Sequence, residues 1–117
     1  MDEAALIALV RLAISCHETT NCLEYVNVNL ERRLKSDPAL PTVGTLEEIR
    51  ALLVDFVFNG GPVEFRYETR EEYQHRREYW FRVNVPISGF PRPLFFELEL
   101  TDDDLELPSV VILNVHF

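Results

Sequence analysis

The chain has 117 residues, 47% of them apolar and 26% charged, and a formal net charge of −9. That length supports one hydrophobic core without cross-links, and the composition is that of a globular domain, not a disordered segment. The acidic balance argues against nucleic acid or an anionic membrane as partner, because both require a cationic patch.

The first segment, MDEAALIALVRLAIS, is expected to form an amphipathic helix from about Asp2 to Cys16. Leu6, Leu9, Val10, Ala13 and Ile14 recur at three- and four-residue steps, and Asp2 and Glu3 favour the positive end of the helix dipole. It has no cationic leader, and Arg11 interrupts an apolar run too short to span a bilayer, so a cytoplasmic location is expected. In such a compartment Cys16 and Cys22 are reduced thiols, most simply part of a core. Residues 20–36 carry both a helical stripe (Leu23, Val26, Leu30, Leu34) and a short alternation (Val26, Val28, Leu30). The longer stripe favours a helix.

Asp37 to Gly44 contains two prolines and reads as a connector. Thr45 followed by Glu48 is a capping box, opening a helix whose inner stripe is Leu46, Ile49, Leu52, Leu53, Phe56 and Val57. Gly60 and Gly61 would end it in the left-handed region. Beyond Pro62 the period changes to two. Val63, Phe65 and Tyr67 form one run. After a polar stretch, in which Thr69 and Glu72 could cap a helical turn, Tyr79, Phe81, Val83 and Val85 form the next. Phe96, Leu98 and Leu100 form a third, and Val111, Leu113, Val115 and Phe117 a fourth, with short connections between them. The expected fold is α+β: two to three N-terminal helices on one face of a four-stranded antiparallel meander sheet. One domain is expected over 1–117, helical to about residue 61 and sheet from about 62.

Charge is uneven along this scaffold. Residues 1–61 carry nine acids and five bases, residues 62–87 five of each, and residues 88–117 six acids against Arg92 alone. Alternation places Trp80, Arg82 and Asn84, then Phe95, Glu97 and Glu99, then Val110, Ile112, Asn114 and His116 on the sheet's open side. A simple hairpin register would set Arg82 near Glu99, Asn84 near Glu97, and Glu97 beside Asn114 and His116. Aromatic anchors and arginine within a polar rim are the make-up of a contact face, covered either by a partner or by the Arg70–Arg77 loop. The expected partner-binding set is Trp80, Arg82, Phe95, Glu97, Glu99, Asp102, Asp103, Asp104 and Glu106.

Catalytic and cofactor motifs are weak. Cys16, His17 and Cys22 lack the paired spacing of a zinc site, and His17-Glu18 has no second histidine at the metalloprotease step. Asp102 to Glu106 has no glycine for a calcium loop, and Gly60-Gly61-Pro62 follows a helix and lacks the phosphate-loop lysine. RNA binding through Trp80 and Phe95 is opposed by the acidity of the same sheet. No cofactor or metal is expected, and no enzymatic activity. In size and charge, without a shared motif, the chain resembles the small acidic proteins with which bacteria neutralise toxins or nucleases. That resemblance implies an immunity, antitoxin or inhibitor protein with a basic protein partner. The alternatives are a homodimeric accessory domain, or a small enzyme with a pocket between helices and sheet that uses His17 or His116.

Overall fold

In the computed structural model, which describes residues 1–16, 22–25 and 39–117, local signals set the helices. Helix α1 spans Glu3–Ser15, and Asp2 caps it by accepting the Ala5 amide at 2.8 Å. A four-residue helix, α2 (Leu40–Val43), precedes α3 (Leu46–Phe58), where both halves of the Thr45–Glu48 capping box form. The α1 stripe is the one the periodicity predicts, with Leu6, Leu9, Val10, Ala13 and Ile14 buried; on α3 Ile49, Leu53 and Val57 are buried while Leu46, Leu52 and Phe56 are half-buried. Arg11 ties the two helices together. Its guanidinium donates to the Gly61 carbonyl at 2.7 Å and the Val57 carbonyl at 2.9 Å, so a cation from α1 caps the negative end of α3. The two glycines there do different work. Gly60 takes a positive φ of 89°, whereas a Cβ on Gly61 would lie 2.4 Å from the Phe56 ring.

The strands are β1 (Leu23–Tyr25), β2 (Glu64–Tyr67), β3 (Tyr79–Val85), β4 (Leu94–Asp102) and β5 (Ser109–His116). Their order is β1-β5-β4-β3-β2, so β2 to β5 form the expected antiparallel meander and β1 adds a parallel edge. The protein is therefore α+β with a five-stranded mixed sheet, not a four-stranded antiparallel one. The helix expected over 20–36 is contradicted at Leu23–Tyr25, which is strand; residues 20, 21 and 26–36 lie outside the described residues. Long-range contacts decide this. Leu23 lies opposite Val110, the Val110 amide donates to the Cys22 carbonyl at 2.7 Å, and the Tyr25 hydroxyl donates to the Leu46 carbonyl.

A second correction concerns β5. The ladder with β4 shifts so that Glu97 pairs with Asn114 while Leu98 pairs with Ile112, leaving Leu113 as an extra residue. A bulge of this kind changes which side chains face the core. Val110 and Ile112 are consequently buried against the helices, as is Val115 beyond the bulge, while Val111 and Leu113 are half-buried. The β3–β4 register also differs: Arg82 lies opposite Glu97 and Asn84 opposite Phe95, two residues from the simple hairpin pairing. Two residues is one full pleat, so the faces of those two strands are preserved.

The core, formed where α1 and α3 lie on the sheet, includes fully enclosed Phe81, Phe96, Leu94, Leu98 and Ile112. Among the described residues no helix is long and apolar enough to cross a membrane.

Candidate functional site

The open face of the sheet is not bare. The segment after β2 crosses it as a strap, with one 3-10 turn at Glu71–Tyr73 in place of the Thr69-capped helical turn; Arg70 occupies the cap position but its side chain makes no capping bond. Glu68 swings inward to an exposure of 7%, and its carboxylate accepts two bonds from Arg70, both 3.1 Å, and one from Arg77 at 3.0 Å. Arg70 also reaches across to Glu97 (3.2 and 3.3 Å), and Arg77 approaches Glu99 at 3.8 Å. Burial pushes the Glu68 carboxyl upward, but the hydrogen bonds and charges of Arg70 and Arg77 outweigh it and hold it below the usual carboxylate range.

Aromatic rings complete the lid. The Arg70 guanidinium lies 4.9 Å from the Tyr73 ring centre and 5.5 Å from that of Trp80, and Arg77 stacks on Tyr73 from 4.9 Å. Beneath the strap, Trp80 neighbours Phe95 at 6.1 Å, and Phe95 stacks on His116 at 4.6 Å. Arg82 turns to the other neighbour strand and grips Glu64 bidentately at 2.7 and 3.1 Å. That hydrogen-bonded pairing lowers the Glu64 pKa and raises that of Arg82.

The structure thus divides the predicted site in two. Trp80, Arg82, Phe95, Glu97 and Glu99 share the sheet face, but Glu97 is buried and the chain's own arginines answer Glu97 and Glu99. The negative field expected along the strands is therefore neutralised there. Asp102, the last residue of β4, and Asp103, Asp104 and Glu106 on the β4–β5 connection form a separate group. All four are exposed, and none has an ion-pair partner among the described residues.

That connection holds a defined shape. Asp102 accepts the Asp104 amide at 3.0 Å, and Asp104 accepts the amides of Leu107 and Glu106 at 2.8 and 2.9 Å. The Leu107 and Glu106 amide bonds keep the Asp104 carboxyl below its ordinary pKa. These side-chain turns present two residues that sequence reasoning passed over, Leu105 and Leu107, which are 72% and 53% exposed. The available signal was their position: leucines interleaved with carboxylates in a turn that buries only Pro108.

Of the chemical candidates, Cys22 is buried and Cys16 half-buried, with no disulfide between them. His17 lies outside the described residues, and His116 has its Nδ1 3.1 Å from the Phe117 carbonyl. Among the described residues no three histidine, cysteine or carboxylate side chains gather as a metal would require. No protein-family model matches the chain, and no curated protein or solved structure matches it.

Proposed function

We propose that this chain is a non-catalytic, cytoplasmic binding protein of the immunity, antitoxin or inhibitor kind, which neutralises a basic protein partner through the β4–β5 loop. The observation that supports it is the loop itself: four exposed carboxylates with no ion-pair partner among the described residues, surrounding two exposed leucines on a backbone tied by its own aspartates. Each part has a task. The uncompensated charge steers a cationic surface toward the loop, the leucines supply apolar contact area, and the pre-formed turns lower the ordering cost of binding. Trp80 and Phe95, both half-buried on the sheet face, do not serve as the primary anchors.

The test begins with capture of partners from the native host and their identification by mass spectrometry. The expected partner is a cationic protein that the Asp102→Asn/Asp103→Asn/Glu106→Gln variant fails to retain. Its association rate should fall by about tenfold or more between roughly 50 and 500 mM salt. An on-rate indifferent to salt, or equal for variant and parent, would refute the loop as the steering element.

A further inference from the structure

We propose that the cleft between the start of α1 and the outer strand β2 receives an arginine or lysine side chain of a protein partner. The cleft has a volume of about 350 Å³, and its walls include Asp2, Glu3, Phe65, Tyr67, Glu78 and Tyr79. Phe65 stacks on Tyr79 at 5.1 Å and meets Tyr67 edge-on at the same distance, so rings in two orientations line the cleft. Tyr67 is 62% exposed, which leaves a large aromatic surface in water at the rim.

The charges select the sign of the occupant. Glu3 and Glu78 are exposed and form no ion pair among the described residues. The positive end of α1 is already answered by Asp2, which accepts the Ala5 amide. An anion would meet three carboxylates against one cation, the Met1 ammonium, whereas a guanidinium or ammonium group finds rings to lie against and acids to pair with. The location deepens the reading proposed above and rests on it for the partner being a protein. β3 begins at Tyr79 on the end of the sheet where antiparallel β4 finishes, so Glu78 and Tyr79 share that end with the loop after Asp102. One basic surface can contact both.

The test is an NMR titration of the whole chain, with aromatic ¹³C and amide ¹⁵N detection, using N-acetyl-arginine methylamide as the probe and the uncharged citrulline analogue as control. Saturable shifts at Phe65, Tyr67, Glu78 and Tyr79 are expected with the arginine probe and not with citrulline. Tyr67→Ala and Glu78→Gln, both at exposed positions, should each weaken binding by about three- to tenfold. Asp103→Asn/Glu106→Gln should leave it unchanged, so failure of the loop in partner capture and failure of the cleft here are separate results. Equal response to citrulline, shifts confined to the β4–β5 loop, or unaltered affinity in Tyr67→Ala and Glu78→Gln would each overturn the proposal.

Discussion

Two acidic stretches adjoin in sequence, Glu97–Glu99 on β4 and Asp102–Glu106 after it, and the fold treats them oppositely. The first lies under a strap whose arginines reach it from 27 and 22 positions away, closing a network of Glu68, Arg70, Arg77, Glu97 and Glu99. The second projects from the end of the sheet, and its carboxylates bond mainly to their own backbone. A carboxylate on a strand can be met by any cation that a neighbouring segment lays across the sheet. One at the tip of a connection has only its near neighbours in reach. Acidic residues of equal formal charge are thus cement in one place and, among the described residues, an uncompensated field in the other.

The contrast is broken most directly at Arg70. Arg70→Ala leaves Glu68 and Glu97 without their main partner and should destabilise the protein by roughly 2–4 kcal/mol in urea unfolding, below the full buried-pair figure because the guanidinium is partly wet. A loss under about 0.5 kcal/mol would mean that the strap is not held as described. Glu68→Gln should cost less, about 1–3 kcal/mol, since an amide still accepts from arginine while losing the charge.

Acid sharpens the comparison without mutation. The Glu68 pKa is depressed in the fold, so its stabilising contribution is present above the unfolded carboxyl value and is lost as pH falls through the lower folded value. The strap should therefore loosen only at pH below the ordinary carboxylate range. The emission of Trp80, the only tryptophan, should then shift; emission unchanged down to the global acid transition would contradict it. The smallest effect belongs to the loop. Asp103→Asn/Glu106→Gln should change stability by no more than about 0.5 kcal/mol while slowing association with a cationic partner. A large stability loss there would show that those side chains hold the fold together.

Much of this architecture is legible in the sequence. The stripes of α1 and α3, the Thr45 cap and the four-strand meander follow from signals within a few residues of one another; the Asp2 cap does not, since Asp2 reads only as a charge favouring the helix dipole. Three further features are not legible there. The strand at Leu23–Tyr25 is three residues long and is specified by β5, some 87 positions away, while Leu23 fits a helical stripe equally well. The bulge at Leu113 sits inside an unbroken apolar run, where Val110, Val111, Ile112 and Leu113 provide no polar residue to mark a phase change. Arg70 and Arg77 carried no local sign of their targets.

Periodicity and capping chemistry therefore determined α1, α3 and the strands from β2 onward, and composition the concentration of acid toward the C-terminus, because each is local to the chain. Only the tertiary structure decided which of those acids remain uncompensated. Charge compensation acts through space over a few ångströms, and the strap brings that distance about between residues that are far apart in sequence.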